Sequence, residues 1–534
     1  MSTEVVVPDA SAGEKPAIRP GFDRAGALRA WAVRLLPVTG IVVVAAVLRF
    51  LRLTAVGFNS DEAVYAGTAA AISGDSSLQA MFPIFRAHPV LFQMLVSFGY
   101  RIEHTDGAAR GVAAAIGVAA VLATYALGRR LYGTAAGLIA ALLLAVTPYH
   151  VIVSRQVLLD GLMTLTTLLV LYCVVRYVQD EPDRARWLVA AGAMAGLSLM
   201  AKETSAVLVG GLYAFFALAP RVRLKARHAL GALAALAAVA APIPIVLSMS
   251  GRQSTGQNYL LWQMFRRANH ETWFYFTTVP GEVGLAVIAA GAIGLVWLRR
   301  DNGWREGLLL CWIAVPIVFF TLWPVKGYQY LLPVAPVAAV LAGRTLARIP
   351  EAGLLRGRGR ARDRVRAGAM AGMVAVVFGT IAVPAFARVN PAPTTTFLAG
   401  TGGLPGGREA ALWVRDHVPA GAQLLAIGPS MANVLQFYSH RRTLALSVSS
   451  NPGVRNPSYT PVPNPDRAMR DGQFQYVVWD SYTASRAPFF AQKARALIDK
   501  YHGVAVYTGT VAVRTPSGAT TEEPVIILYE VRPA

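Results

Sequence analysis

The sequence of 534 residues has only two cysteines and few charged residues, and both shortages exclude classes of protein. Cys173 and Cys311 both lie in apolar segments, so neither a disulfide framework nor a cysteine-based metal site is available. Charged residues make up 15% of the chain and hydrophobic residues 55%, with a mean hydropathy of +0.46. That composition is too apolar for a soluble globular protein, and many apolar runs reach the roughly 20 residues that span a bilayer. We therefore expect a polytopic membrane protein.

Acidic residues are scarce beside basic ones, 29 against 50, which gives a formal net charge of +21. Such an excess can indicate nucleic-acid binding. Here, however, the basic residues cluster in short segments between apolar runs, most densely in 344–366, as the positive-inside rule describes. We interpret the charge as membrane topology and expect membrane lipids, not nucleic acid, around this chain.

The apolar runs and basic loops predict a mainly α transmembrane fold of about eleven spans. The predicted spans are 33–54, 108–128, 134–153, 158–177, two short spans or a reversed hairpin in 187–219, and then 229–249, 282–298, 307–323, 330–347 and 367–387. We expect residues 1–32 to be a disordered cytoplasmic tail and residues 33–390 the membrane domain, with a long first external loop at 55–107. The N-terminus then lies in the cytoplasm and the C-terminus outside the cytoplasmic membrane.

Residues 391–534 differ in composition, because proline, glycine, asparagine and charged residues return. Short apolar runs alternate with helix-like segments, which predicts a small extracytoplasmic α/β domain. The expected strands are at 423–427, 476–479, 504–507 and 525–529, and the expected helices at 408–417, 429–438 and 487–501. This part of the sequence contains no phosphate-cradling glycine motif and no convincing catalytic triad, which leaves an accessory role in acceptor binding or packing.

Two adjacent acids, Asp61 and Glu62, follow the first predicted span directly. Asn59 or Ser60 can N-cap a surface helix that runs on through Ile72. Acids in a first helical turn complement the helix dipole by about 0.3–1 kcal/mol, so ordinary helix chemistry is one sufficient explanation. The alternative, that the pair is catalytic, depends on the residues that share its side of the membrane.

Further ionisable and tyrosine side chains occur at the same ends of the predicted spans. They are Arg86, His88, Arg155, Asp160, Lys202, Glu203, Lys326, Tyr328 and Tyr330. An ionisable group in a bilayer costs roughly 2.5–3.5 kcal/mol on insertion scales, so each is a functional candidate. Each also has an ordinary explanation, such as a snorkelling arginine, a helix cap or a turn pair. Because all of these residues are predicted to lie on the same side of the membrane, a joint role in one site is favoured.

Sugar transfer from a lipid phosphate to a hydroxyl or amine would use such a set. A carboxylate can act as general base on the acceptor, while cations hold the departing phosphate. The catalytic candidates are Asp61 and Glu62. The candidates for binding the donor phosphate or substrate are Arg155, Lys202, Lys326, Tyr328 and His88, and those for a metal ligand or second acid are Asp160 and Glu203.

Five motifs of this chain resemble, in order and in sidedness, those of the GT-C class of polytopic glycosyltransferases. The motifs are Ser60-Asp61-Glu62-Ala63-Val64-Tyr65-Ala66, His88-Pro89-Val90-Leu91-Phe92, Ser154-Arg155 to Asp160, Ala201-Lys202-Glu203 and Lys326-Gly327-Tyr328-Gln329-Tyr330-Leu331-Leu332-Pro333. The branch concerned contains the protein O-mannosyltransferases and the bacterial aminoarabinose transferases that modify lipid A. The resemblance covers the membrane portion and does not extend to the C-terminal part.

The resemblance implies a GT-C-type bundle, a polyprenyl-phosphate sugar as donor and inversion at the anomeric carbon. Asp61 matches the family's first-loop acid, assigned as base or as acceptor or metal contact, and Lys202 and Arg155 match positions near the donor phosphate. A divalent metal is possible. Aminoarabinose transferases carry Glu-Lys-Pro where this chain has Ala87-His88-Pro89, so one carboxylate is missing there. Either Asp160 supplies that charge or no metal is needed.

The sequence therefore predicts an enzyme, a membrane glycosyltransferase that moves a hexosyl or pentosyl group onto a polysaccharide, lipid or protein acceptor of the cell envelope. Two other functions stay open. A flippase or transporter of lipid-linked sugar would prefer broken helices with charges near the midplane of the membrane, whereas these charges lie at one interface. A non-catalytic scaffold for the external domain would not need Asp61, Arg155 and Lys202 together.

Overall fold

The computed structural model describes residues 24–84, 88–180, 184–219, 222–249, 262–266, 268–295, 303–348, 360–389, 403–514 and 519–532. The chain divides into one compact unit of Met1–Gly40 and a second of Ile41–Ala534, and every site considered below lies within the second. The predicted disordered tail at 1–32 overlaps the first helix of the structure. Residues 1–23 lie outside the described part of the chain, whereas Arg24 begins the first helix in a segment rich in alanine and leucine.

The described helices, numbered in chain order, are α1 Arg24–Phe50, α2 Ser60–Ser73, α3 Ser76–Met81, α4 Leu91–Tyr100, α5 Asp106–Tyr132, α6 Thr134–Val146, α7 Pro148–Ser154, α8 Leu159–Gln179, α9 Arg184–Ala201, α10 Ala206–Leu218, α11 Ala226–Ala240, α12 Pro242–Met249, α13 Phe274–Val283, α14 Leu285–Leu295, α15 Trp304–Leu322, α16 Val334–Arg348, α17 Arg360–Val389, α18 Gly407–His417, α19 Pro429–Ser439, α20 Pro465–Arg470, α21 Ser481–Arg486 and α22 Pro488–Lys500. Short 3-10 turns at Glu203–Ser205 and Tyr328–Leu331 precede α10 and α16. The prediction of a mainly helical membrane fold is confirmed.

Five described helical segments are long and apolar enough to cross a membrane. They are Asp106–Tyr132, Leu159–Gln179, Trp304–Leu322, Tyr328–Arg348 and Asp363–Val389. Two further pairs of helices meet the same test together, which raises the number to at most seven. The described part of the chain thus supports five to seven spans by length and composition, and the count of eleven stays a prediction.

Both pairs of helices are sharply bent at the break between them. Helices α6 and α7 meet at 61°, because Pro148 at the start of α7 has no N–H to continue the first helix. Helices α13 and α14 meet at 96° around Gly284, whose φ of 98° lies in the region that glycine tolerates best. The predicted spans 134–153 and 282–298 therefore each correspond to a helix with a sharp bend at one end or within it.

Helix α5 carries a buried ion-pair group near each end. Near its C-terminus, the Tyr132 hydroxyl donates to Glu306 Oε1 at 3.0 Å, and Arg344 Nη1 pairs with the same oxygen at 2.9 Å. The Arg344 and Glu306 side chains are almost fully buried. We call this group, Tyr132, Glu306 and Arg344, the Arg344 end.

The first external loop begins with a capped helix. The Asn59 side chain accepts hydrogen bonds from the backbone N–H groups of Asp61 and Glu62, and Glu62 Oε2 accepts one from the Asn59 N–H. This reciprocal capping box defines the start of α2, with Asn59 rather than Ser60 as the cap. The apolar segment that follows Pro89 forms α4, whose ten residues are too few to span a bilayer.

A five-stranded sheet lies in the C-terminal region, which we define as residues 403–532. Its strands are β1 Leu424–Ala426, β2 Thr443–Ala445, β3 Tyr476–Asp480, β4 Val504–Arg514 and β5 Thr520–Glu530. The order across the sheet is β2-β1-β3-β5-β4, with the first three strands parallel and β5 antiparallel to both β3 and β4. The sequence did not indicate β2, because its three residues are too few to show an alternating pattern.

Candidate active site

Of the two adjacent acids Asp61 and Glu62, Asp61 is the one whose carboxylate is exposed and has no bonded partner among the described residues. The helix start places its side chain on the exposed side of α2, and within the described part of the chain its carboxylate forms no hydrogen bond or ion pair. Surrounding protein atoms raise the pKa of Asp61 by desolvation, while the positive charges of His88 and Lys202 oppose that shift. Asp61 is therefore an exposed carboxylate with one lysine and one histidine side chain nearby.

Glu62, the neighbouring acid, is fully buried and bonded through both oxygens. Arg110 donates to it twice, from Nε to Oε1 and from Nη2 to Oε2, at 2.8 Å each. The backbone N–H of Val157 donates to Oε1 at 3.0 Å, and the Asn59 backbone and side chain donate to Oε2 at 3.1 Å each. A carboxylate with this many donors is held in place, so Glu62 fixes the helix start instead of facing a substrate.

Arg110 also fixes the chain between the first helix and α2. Its Nη1 donates to the carbonyls of Leu53 and Val56 at 2.7 Å each, and its Nη2 donates to Gly57 O at 2.9 Å. The guanidinium thus connects α5, the loop 53–57 and Glu62. The position of Asp61 depends on this network, since the two acids are adjacent in one helical turn.

Lys202 and Asp160 form a buried ion pair next to Asp61. Lys202 Nζ donates to Asp160 Oδ1 at 2.7 Å, and the two side chains come from the break before α10 and from the first turn of α8. Nζ also lies 4.5 Å from the centre of the Tyr330 ring. An ammonium group has three donors, so one pairing leaves further donors for a phosphate oxygen.

His88 and Glu203 form a second pair beside the first. His88 Nδ1 lies 2.9 and 3.1 Å from the two carboxylate oxygens of Glu203, and the ring of Tyr65 packs edge-on against the imidazole. Glu203 follows Lys202 directly, so the two pairs share one turn of chain. The structure therefore brings together Asp61, His88, Asp160, Lys202 and Glu203 as predicted, and we call these five residues the Asp61 cluster.

Arg155 and Lys326 are used differently from the prediction. Arg155 Nη1 donates to the carbonyls of Leu48 and Arg49 at 2.8 and 3.2 Å, which caps the end of α1. Lys326 Nζ donates to the carbonyls of Thr321 and Trp323 at 3.1 and 2.9 Å, at the end of α15. Both cations complement the C-terminal dipole of a helix, and these contacts explain them without a donor phosphate.

Tyr328 also lies apart from the Asp61 cluster. Its ring packs edge-on against Tyr149 at 5.1 Å, and its carbonyl accepts a hydrogen bond from the Tyr149 hydroxyl. Tyr330, two residues further on, is the tyrosine of this turn that contacts Lys202. The predicted candidate Arg86 lies outside the described residues.

The predicted metal ligands do not fit a metal ion. Asp160 is paired with Lys202, and Glu203 lies within hydrogen-bond distance of His88, so each carboxylate already has a side-chain partner. Throughout the described ranges, no group of three or more histidine, cysteine, aspartate or glutamate side chains could hold an ion. The Asp61 cluster holds three carboxylates beside one lysine and one histidine, and Lys202 is the residue of the cluster with N–H donors left for a further ligand.

Helix α19 of the C-terminal region packs directly against the first loop. The Tyr438 hydroxyl accepts from the Phe58 N–H at 2.8 Å and donates to Asp106 Oδ2 at 2.7 Å. The ring of Phe58 lies 5.1 Å from that of Phe437. Asn433 Nδ2 donates to Ser60 Oγ at 3.1 Å, directly before Asp61. The chain of Asp61 is thus held from both the bundle and the C-terminal region.

The sequence did not single out Arg110, Asn433 or Tyr438 as site residues. A signal was present for Arg110, because an ionisable residue in the first turns of a predicted span is a functional candidate. For Asn433 and Tyr438 the sequence has no such signal. Asn433 lies 373 positions from Ser60, and Tyr438 lies 380 positions from Phe58 and 332 from Asp106, in a region with no recognisable motif.

Comparison with known proteins gives one sequence family and several relatives. Residues 87–246 match the family of dolichyl-phosphate-mannose-protein mannosyltransferases. An undecaprenyl phosphate-alpha-4-amino-4-deoxy-L-arabinose arabinosyl transferase of Sodalis glossinidius is 31% identical over 35% of this chain and 39% of its own length. A putative mannosyltransferase of Bacillus subtilis, YycA, is 36% identical over 20% of this chain and 16% of its own. The matched segment spans about two fifths of the first of these relatives.

Solved structures extend the likeness to the whole fold. ArnT from Cupriavidus metallidurans bound to undecaprenyl phosphate has a TM-score of 0.64 at 16% identity, over 92% of this chain and 97% of that one. The oligosaccharyltransferase of Archaeoglobus fulgidus has a TM-score of 0.57 at 14% identity, over 92% and 74%. The resemblance to GT-C glycosyltransferases of the aminoarabinose-transferase and protein-mannosyltransferase type is thereby confirmed.

Proposed function

We propose that this protein is an inverting glycosyltransferase that moves a sugar from a polyprenyl-phosphate donor to an acceptor at the outer face of the cytoplasmic membrane. The observation that carries the proposal is Asp61, an open carboxylate within a cluster whose other acids are paired. The GT-C fold and the relatives that use undecaprenyl-phosphate sugars support it. The basic loops support a cytoplasmic N-terminus and an external C-terminal region.

In the proposed reaction Asp61 is the general base. Its carboxylate accepts the proton of an acceptor hydroxyl or amine as that atom forms a bond to the anomeric carbon. The bond from the anomeric carbon to the phosphate oxygen breaks on the opposite face, and polyprenyl phosphate leaves with the electron pair. Attack opposite to the departing group inverts the anomeric centre, and no metal is needed to balance the step.

Lys202 and His88 are the residues we propose to hold the phosphate. Both flank Asp61 and both stabilise its ionised form, so their charges act at the place where the reaction occurs. An ammonium and an imidazole beside a departing phosphate stabilise the negative charge that develops on it. Asp160 and Glu203 then position these cations through the pairs described above, and Glu62 positions Asp61 through the helix start.

Replacement of Asp61 by asparagine tests the proposal. We expect Asp61→Asn to lower transfer by about 10²–10⁴-fold, the usual contribution of a general base, with little change in unfolding temperature. The matched control is Glu103→Gln in the same loop, because Glu103 is an exposed acid outside both the Asp61 cluster and the C-terminal region. Release of undecaprenyl phosphate from undecaprenyl-phosphate sugars, in detergent and with an envelope extract as acceptor, is measured by mass spectrometry.

The outcome separates the enzyme from a transporter. If Asp61→Asn consumes the donor at the wild-type rate, Asp61 is not the base. If the wild-type protein moves the lipid-linked sugar across a vesicle membrane without consuming it, the transferase proposal itself is wrong.

A further inference from the structure

A cavity of about 400 Å³ lies between the first external loop and the C-terminal region. Helix α3 forms one wall with Ser77 and Met81. The opposite wall comes from α19 and from the short edge strand β2 that follows it. The volume falls within the range of about 300–1,000 Å³ that is typical of small-molecule sites. None of the residues assigned above to catalysis or donor binding lines this cavity.

The side chains that line the cavity are rich in hydrogen-bonding groups. Asn433 and Gln436 supply amides, Tyr459 a hydroxyl, and Arg442 and His440 cationic or cation-forming groups. None of the described lining residues is an aspartate or glutamate. Amides, hydroxyls and a guanidinium suit a ligand that carries both hydroxyls and a negative charge, and the nearby Asp75 carboxylate is hydrogen-bonded to Ser77.

The cavity is connected to Asp61 through a single side chain. Asn433 Nδ2 lies 3.2 Å from the Tyr459 hydroxyl in the cavity wall and 3.1 Å from Ser60 Oγ, next to Asp61. The other wall is fixed as well, since Ser77 Oγ lies 2.6 Å from His440 Nδ1 and 2.6 Å from Asp75 Oδ1. The side of the cavity formed by Asn433 therefore lies beside the start of α2, whereas the side formed by Ser77 lies beyond the end of that helix at Ser73.

We propose that this cavity binds an acidic saccharide unit of the acceptor. The Arg442 guanidinium pairs with the carboxylate or phosphate of that unit, and Asn433 and Gln436 hydrogen-bond its hydroxyls. The proposal names the acceptor class for the function proposed above and rests on it. It also assigns acceptor recognition to the C-terminal region, whereas donor binding belongs to the membrane portion.

Binding of small acidic sugars to the full-length protein in detergent tests the site. The probes are glucuronate, glucose 6-phosphate and glucose, and the measurement is saturation-transfer NMR with titration. We expect one or both acidic sugars to bind with a Kd in the millimolar range and glucose to bind at least about 10-fold more weakly, a difference of about 1.4 kcal/mol. The stronger of the two acidic probes identifies the charged group.

Arg442→Gln should weaken binding of the acidic probe about 10-fold and leave glucose unchanged, since only the charge is lost. Arg467→Gln is the matched control, because Arg467 is an exposed arginine of the same region outside the cavity. Tyr459→Phe, which removes one hydroxyl, should weaken all bound probes slightly. No saturation transfer from any probe, or equal binding by the Arg442→Gln and Arg467→Gln variants, overturns the proposal.

The Asp61→Asn variant keeps this test separate from the proposed function. It should bind the acidic probe as the wild type does, because Asp61 does not line the cavity. Loss of transfer with retained binding supports both proposals, whereas retained transfer in Asp61→Asn contradicts only the assignment of the base. Absent binding in a protein that transfers sugar contradicts only the cavity.

Discussion

The two ends of helix α5 carry buried charges in different arrangements. At the Arg344 end, Glu306 is paired with one arginine and one tyrosine hydroxyl, both almost buried. At the other end, Glu62 is held in the same way by Arg110, but a second layer of charges lies beside it. That layer is the Asp61 cluster. Its basic residues are a lysine and a histidine, not arginines, and it also contains the open carboxylate of Asp61.

The difference shows that a buried ion pair in a membrane bundle does not by itself mark an active site. The planar guanidinium of arginine is always charged and presents its N–H donors in a rigid geometry, which suits a permanent ion pair. Arg110 and Arg344 form such pairs at the two ends of α5. Lysine is a compact charge with rotatable donors, and histidine titrates near neutral pH, so both can respond to a ligand. The end that we propose to be functional differs from the Arg344 end in having the open carboxylate of Asp61 beside a lysine and a histidine.

The largest expected effect comes from breaking the two arginine pairs. Arg110→Ala and Arg344→Ala should each lower the free energy of unfolding by about 3–5 kcal/mol, because each leaves a buried carboxylate unpaired. Only Arg110→Ala should also lower turnover at temperatures where the protein is folded, since it releases the helix of Asp61. Denaturant unfolding and donor turnover measured on both variants check this. Equal loss of turnover in the two variants would remove the distinction between the ends.

A second prediction compares two buried lysines near the same end. Lys202→Met should raise the KM for the polyprenyl-phosphate donor about 10- to 100-fold, a loss of about 1.4–2.7 kcal/mol. Lys326→Met, the matched control, should lower thermal stability without changing that KM, because Lys326 caps the carbonyls of α15. Steady-state kinetics with undecaprenyl-phosphate sugars measure both. A rise in KM for Lys326→Met would restore the donor role first predicted for that residue.

The smallest expected effect is a shift in pH dependence. A general base accepts a proton only when it is ionised, and desolvation raises the pKa of Asp61. If Asp61 is the base as proposed, activity should fall on the acid side at a pH above the ordinary aspartate value of about 3.9. His88 lowers that pKa by its positive charge. His88→Gln should therefore move the acid limb of kcat/KM to higher pH, and a move to lower pH would contradict the assignment.

Much of the membrane portion could be predicted from sequence, because hydropathy and basic loops reflect a strong physical constraint. The same reasoning placed Asp61, His88, Asp160, Lys202 and Glu203 on one side, and the structure brings these residues together. Their catalytic and binding roles stay predictions. The helix start at Asn59 was also foreseen, since capping depends on residues only three positions apart.

What the sequence could not show are pairings over long separations. Arg155 was assigned to a donor phosphate, but its donors reach carbonyls of α1 about a hundred positions earlier in the chain. A guanidinium bonds whichever acceptors the fold places near it, and sequence spacing does not reveal them. Glu62 is a second example. The sequence makes it a catalytic candidate beside Asp61, but Arg110 and Val157, which are distant in the sequence, donate hydrogen bonds to its carboxylate.

The hydrogen bonds of Tyr438 to Phe58 and Asp106 have a consequence for how such proteins can be recombined. A C-terminal region taken from a relative would have to supply its own hydroxyl at the position of Tyr438 and its own amide at that of Asn433. Without them the backbone before Asp61 would lose two of its anchors. The C-terminal region and the first loop therefore depend on each other structurally, and chimaeric proteins should exchange the two together.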